Sequence, residues 1–268
     1  MLESFRFAGE THMKDKDPYT VPGLVRGLTL LQAFSPQKPE QTLKQLAAAL
    51  GVTRSAAFRT VHTLVEEGFL LPVRDGHHFR LGPAVLRLSY GYLASRELLE
   101  VAQSPLETLR NELDWSCHLG VLDGRHVVYL IRLPATDGLS ALVHVGSRLP
   151  ASNTTMGRIL FAQKTEVEIR KLLMDQPAAM VRAALLAWQQ DRQSSCVIQV
   201  GTFESGLCSV AAPVFDMSGA VIAAISATKV ADSVPGKVKK SVLRTAATIS
   251  QGLGWKGQGM VPDGAGRA

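Results

Sequence analysis

Long apolar runs are missing from this chain. No stretch of about 18 hydrophobic residues occurs, so no membrane span is expected. The first residues are polar and mixed in charge, without the apolar stretch of a secretory signal. Residues 1–19 are expected to be a disordered tail, and 257–268 a C-terminal tail. Cysteine is scarce: Cys117, Cys196 and Cys208 are far apart and odd in number. That argues against a disulfide scaffold and points to the cytoplasm.

Catalytic signatures are missing too. The phosphate loop GxxxxGK[ST] is absent, and no βαβ dinucleotide fold is expected. There is no GxSxG nucleophile elbow. No CxxC or HExxH is present, so no zinc site is indicated, and no cofactor is expected. Cys117 and His118 are adjacent, but neighbouring strand residues point to opposite faces. A nucleophile and its base would have to converge, so a buried thiol is the simpler reading. Nothing here indicates an enzyme.

Acidic residues are missing from one segment in particular. Between Gln41 and Val65 there is no carboxylate, while Lys44, Arg54 and Arg59 are present. The whole chain is basic, with a net charge of +6, which favours polyanionic partners only weakly. A second basic cluster, Lys237, Lys239, Lys240 and Arg244, reads as the solvated face of a terminal helix.

What is there describes a folded protein of two unequal domains. The length is 268 residues, and hydrophobic residues (46%) far outnumber charged ones (19%), which excludes a disordered chain and supports a normal core. Leu24, Leu28, Leu31 and Ala33-Phe34 recur at roughly helical spacing after Pro22. Leu43, Leu46, Ala47 and Leu50 then form one face of a short helix. Gly51 ends it, because a helix-ending residue with positive φ is best served by glycine. Thr53 reads as the cap of the next helix, with Ala57, Val61, Leu64 and Val65 inward. This is the pattern of a helix-turn-helix.

The outward face of that second helix carries Arg54, Ser55, Phe58, Arg59 and His62. Arginine pairs with guanine or phosphate, and an exposed phenylalanine suits a thymine methyl. Lys44 could neutralise phosphate. An ordinary helical hairpin with a solvated polar face has the same spacing; the missing acids favour DNA. After Gly68, two strands around Asp75-Gly76 read as a wing, with Arg74, His77, His78 and Arg80 near the phosphates. The winged helix-turn-helix spans 20–82.

A helix over 83–103 reads as a linker and a candidate dimer contact. Ser104-Pro105 would start the first helix of the second domain, 104–256. There the pattern turns to β: two strands around Asp123-Gly124, a third at Leu139–Val145, a loop entering a helix near Thr155, helices at Glu166–Leu173 and Met180–Arg192, strands at Cys196–Gln199, Leu207–Phe215 and Ala220–Thr228, and a basic terminal helix. This is α+β with an antiparallel sheet. Thr154, Thr155, Met156 and Gly157 reach a helix N-terminus, which favours a carboxylate. Ser209, Ser226 and Thr228 would add hydroxyls if their strands are adjacent.

With those residues in view, the chain resembles the IclR family of bacterial regulators, over about Leu24 to Trp255. Three stretches carry the resemblance: Arg26-Gly27-Leu28 with TRSAAFRTVHTLVEEGFL, then GSRLPASNTTMGRILFA, then ESGLCSVAAPVFDMSGAVIAAIS. The second is similar to the subgroup that regulates aromatic-acid and β-ketoadipate catabolism. The resemblance implies a GAF-like effector domain, homodimers often paired into tetramers, a palindromic operator in double-stranded DNA, and a small carboxylate effector held between the loop-helix and the sheet. By position it implicates Thr154, Thr155, Met156, Gly157, Gln199, Ser209, Ser226 and Thr228. Gln199 stands where many members have aspartate, Thr202 where many have glutamate, and Cys208 where arginine is common. Losing carboxylates eases the holding of an anion. Two other functions fit less of the sequence: a small-acid enzyme with a vestigial helix-turn-helix, and a sensor acting through protein partners.

Overall fold

The computed structural model describes residues 18–73, 76–94, 97–136, 143–201 and 206–257. Arg74, Asp75, Thr202 and most of both expected tails lie outside the described residues. The chain divides into two compact units, Met1–Ser95 and Arg96–Ala268.

The first unit runs α1 (Pro22–Leu31), β1 (Glu40–Thr42), α2 (Leu43–Leu50), α3 (Arg54–Glu66), β2 (Leu70–Pro72), β3 (His78–Leu81) and α4 (Ala84–Ala94). The turn between α2 and α3 is specified locally. Thr42 and Gln45 form a capping box on α2, Gly51 ends it at φ +64°, and Thr53 caps α3 by accepting from the Ala56 amide. Leu30, Leu46, Val61 and Leu70 are buried and form the core with Phe34. Each fully buried side chain of this kind contributes about 1.5–3 kcal/mol. The strands form a sheet in the order β1-β3-β2, all antiparallel.

Two expectations for this unit change. The stripe of Leu24 and Leu28 is not core: they are 61% and 49% exposed, and α1 enters the core through Leu30 instead. β1 also lay within no expected element. It exists because Gln41 pairs with Phe79 far along the chain, a pairing that a three-residue segment does not announce.

The second unit runs α5 (Glu97–Leu113), β4 (Ser116–Asp123), β5 (His126–Leu133), β6 (Arg148–Pro150), α6 (Thr155–Ala162), α7 (Glu166–Leu172), α8 (Ala178–Asp191), β7 (Val197–Val200), β8 (Leu207–Phe215), β9 (Val221–Val230) and α9 (Gly236–Gly252). The six strands form one antiparallel sheet in the order β6-β5-β4-β9-β8-β7. α5 and α9 pack on it, as does α6 with α8 against it. Strand alternation sends Val127, Tyr129, Val197, Ala211 and Ala224 into the core that contains Met156, Ile159 and Phe161 of α6. Cys117, Leu119, Val210 and Ile225 alternate to the opposite face and are buried there.

No new helix starts at Ser104. α5 runs through Pro105, and its buried stripe of Leu98, Ala102, Leu106 and Leu109 spans the proline. Of the linker helix expected over 83–103, Ala84–Ala94 is α4 of the first unit, and the residues from Glu97 onward belong to α5 of the second. The strand expected at Leu139–Val145 is only partly open to comparison. Residues 139–142 lie outside the described residues, Val143–Val145 form no strand, and the strand is Arg148–Pro150. Finally, Gly252, Gly254 and Gly257 have GxGxxG spacing but close a helix rather than leave a strand. They lack the context of a dinucleotide fingerprint.

Candidate DNA interface and effector site

On α3, Arg54, Ser55, Phe58, Arg59 and His62 are all exposed. Helical spacing gathers Arg54, Ser55, Phe58 and His62 on one side, and the Phe58 and His62 rings lie 6.1 Å apart. Phe58 is 52% exposed, which leaves it free to meet an apolar partner. Arg59 stands at the flank, lining a groove of about 680 Å³ with Leu24, Leu28, Leu64 and Leu88. Thr53 is spent on the cap, although its hydroxyl also reaches Ser55 at 3.1 Å. Lys44 is exposed in the first turn of α2. Arg74 lies outside the described residues. The segment is thus a helix-turn-helix whose second helix presents cations and one aromatic, with no acid along the exposed face of its first three turns.

In the second unit, the hydroxyls expected to gather do so. Ser209 lies between two partners: Thr155 of α6 at 2.8 Å and Thr228 of β9 at 3.0 Å. The register places Gln199 opposite Ser209, and Ser209 opposite Thr228. These side chains therefore share the sheet face beneath α6. Gln199, Thr155 and Met156 are buried.

Thr154 and Gly157 do something different. The Thr154 hydroxyl caps α6 by accepting from the Gly157 amide at 3.1 Å. Gly157 itself lies where a Cβ would come within 2.2 Å of the Ala151 carbonyl oxygen. Both residues shape the site through the backbone. Cys208 alternates to the other face and donates to the Ala231 carbonyl at 3.0 Å, so it does not line this one.

Ser226 is one rung away from Thr228 and was expected to be a simple hydroxyl. It pairs with a residue not foreseen for this site: its hydroxyl is 3.4 Å from Nδ1 of buried His118. His118 in turn stands opposite Arg132 and meets the Tyr129 ring edge-on at 5.4 Å. The alternation that separates His118 from Cys117 also brings it onto the sheet face beneath α6. Burial, and secondarily the Arg132 charge, push the imidazole down to about 4.

That shift has a measurable consequence. Above the unfolded pKa of 6.5 the ring is neutral in both states, and its contribution to stability is full. Between 6.5 and about 4 only the unfolded chain takes the proton, so stability falls with pH over that window. Urea midpoints of His118→Gln should therefore decline less steeply than wild type on acidification. Parallel profiles would show that the ring titrates normally.

Profile matches cover both units: an IclR helix-turn-helix domain at residues 23–73 and the C-terminal domain of bacterial IclR regulators at residues 90–251. The chain belongs to the IclR family of bacterial transcriptional regulators. Among IclR-family relatives, the Pca regulon regulatory protein of Pseudomonas putida is 33% identical over 78% of this chain and 75% of its own length. The p-hydroxybenzoate hydroxylase transcriptional activator of Acinetobacter baylyi is 34% identical over 77% of this chain and 80% of its own. Among solved structures, an IclR homologue from Microbacterium hydrocarbonoxydans, complexed with 4-hydroxybenzoate, superposes with a TM-score of 0.74. It is 24% identical and covers 86% of this chain and 98% of that one, a likeness of fold. The IclR relatives are transcription regulators, and no helix among the described residues is long and apolar enough to cross a membrane.

Proposed function

We propose that this chain is a cytoplasmic, homodimeric regulator that binds a palindromic operator and responds to an aromatic or other small carboxylate. One observation carries the effector half: the chain of hydroxyls from Thr155 through Ser209 to Thr228, at a helix N-terminus and beside the apolar core under α6. Such a site offers donors to a carboxylate in low dielectric, where each hydrogen bond counts for more. Thr154, Met156 and Gly157 shape its floor, and Gln199 and Ser226 flank it. The names of the relatives, which regulate Pca genes and p-hydroxybenzoate hydroxylase, favour an aromatic acid.

For DNA, Arg54, Ser55, Phe58 and His62 enter the major groove, and Arg59 reaches a base or phosphate from the flank. Thr53, Lys44 and Arg74 lie against the backbone. A dimer would form through the exposed leucines of α1 and α4, Leu24, Leu28 and Leu88, with a second copy of the chain covering them and leaving the Arg59 edge of the groove open to DNA. Paired dimers would make a tetramer.

The deciding experiment is a thermal-shift screen with protocatechuate, 4-hydroxybenzoate and β-ketoadipate. A ligand at 100 times its Kd should add about 2.7 kcal/mol. Ser209→Ala should reduce the shift. No shift with any of the three would remove the aromatic-acid reading and leave DNA binding standing. For DNA, Arg59→Ala and Arg54→Ala should each cost about 1–3 kcal/mol on the operator. Lys44→Ala should weaken all sequences alike and lower the salt slope by about 1. Wild-type affinity in both arginine variants would exclude them from recognition.

A further inference from the structure

The sheet face under α6 carries two polar rungs. The first is Gln199, Ser209 and Thr228, joined to Thr155. The second is Ser226, His118 and Arg132, one from each of three neighbouring strands. Ser226 and Thr228 are two residues apart on β9, so the rungs are about 6.7 Å apart along the strand. That is close to the length across a benzene ring with a substituent at each end. The Tyr129 ring stands against His118, and the buried Met156 side chain reaches Gly120, two residues along β4; both are apolar surfaces suited to an aromatic face.

His118 is chemically unlike the rest of this face. A neutral imidazole donates at one nitrogen and accepts at the other. With Nδ1 turned to Ser226, Nε2 is the ring nitrogen that this contact leaves for a further partner. A ring held neutral by burial suits a phenolic hydroxyl, which both donates and accepts. It suits a carboxylate less well, because a carboxylate needs donors only.

We infer that His118 is a specificity residue of the effector site: it hydrogen-bonds a hydroxyl at the far end of an aromatic acid whose carboxylate lies at Thr155, Ser209 and Thr228. The ligand class is a para-hydroxylated benzoate. The inference rests on the small-carboxylate reading of the first rung.

The test is calorimetric titration of the full-length chain with benzoate and with 4-hydroxybenzoate. Wild type should bind 4-hydroxybenzoate about tenfold more tightly, the worth of one buried hydrogen bond. In His118→Phe, which keeps a ring against Tyr129, the ratio should fall to near one, with the larger loss on 4-hydroxybenzoate. His118→Gln, which can still donate and accept, should keep part of the preference. Thermal midpoints of both variants establish that they are folded. A preference that survives in His118→Phe overturns the inference. So does an equal loss for both ligands, which would put the carboxylate at the histidine. A wild type that binds neither ligand defeats the small-aromatic-acid reading itself, and that result appears before any substitution is made.

Discussion

Arg158→Met should lower the stability of the second unit by about 3–5 kcal/mol, the cost of leaving a buried charge without its partner. Arg158 of α6 grips Asp191 at the end of α8 through two hydrogen bonds of 2.7 Å, from Nε and from one terminal nitrogen. The side chains are 20% and 7% exposed, so the aspartate depends on this pair for its neutralisation. The double variant Arg158→Met with Asp191→Leu should recover most of the loss, because it removes both desolvation costs. All three tryptophans, Trp115, Trp188 and Trp255, lie in this unit, so fluorescence-monitored urea unfolding reports on it selectively. If the single variant unfolds at the wild-type midpoint, the pair contributes nothing beyond a surface bridge. The pair also sets where α6 sits, and α6 carries Thr155. Ligand binding should therefore weaken in the single variant even where the unit remains folded.

Which parts of this protein could be read in advance follows from how local their causes are. The helix-turn-helix was legible because Gly51 and Thr53 act within one turn of themselves, and because a charge pattern needs no fold to be seen. β8 was legible to its ends because it is a long apolar run in a central position. β1 was not, because its only cause is a partner strand nearly forty residues later. Pro105 misled because proline favours a first helical turn, yet the buried stripe of α5 outweighs that local preference. α1 misled because its leucines serve two surfaces. Leu30 enters the core, while Leu24 and Leu28 line the exposed groove.

The sheet face beneath α6 shows the same division. Ser209, Ser226 and Thr228 were expected together if their strands were adjacent, and β8 and β9 are. His118 and Arg132 belong to the other half of the sheet, and only the order β5-β4-β9 brings them beside Ser226. Strand alternation had already excluded a Cys117-His118 pair. The same alternation, continued through Gly120 and Leu122, would have placed His118 on the side of α6.

Gly157 is where packing and function meet, and its substitution should have an effect comparable with that of Arg158. A Cβ there would lie 2.2 Å from the Ala151 carbonyl oxygen and 2.3 Å from its Cα. Both are backbone atoms of a wholly buried residue, so no side chain can rotate away. Overpacking usually costs about 1–3 kcal/mol, and a clash with fixed backbone belongs at or above the upper end. Gly157→Ala should therefore destabilise the second unit by about 3 kcal/mol or more, with the tryptophan signal as readout. Gly236→Ala is the control, since a Cβ at Gly236 meets nothing within 4 Å. Relief can come only by parting α6 from the Arg148–Thr154 segment. That movement would draw Thr155 away from Ser209 and break the hydroxyl chain. The variant should thus lose its ligand-induced thermal shift in the fraction that stays folded, while the operator affinity of the unliganded first unit persists. A folded Gly157→Ala that binds ligand normally would mean that the α6 N-terminus is free to move without consequence, and that the carboxylate is held by the sheet alone.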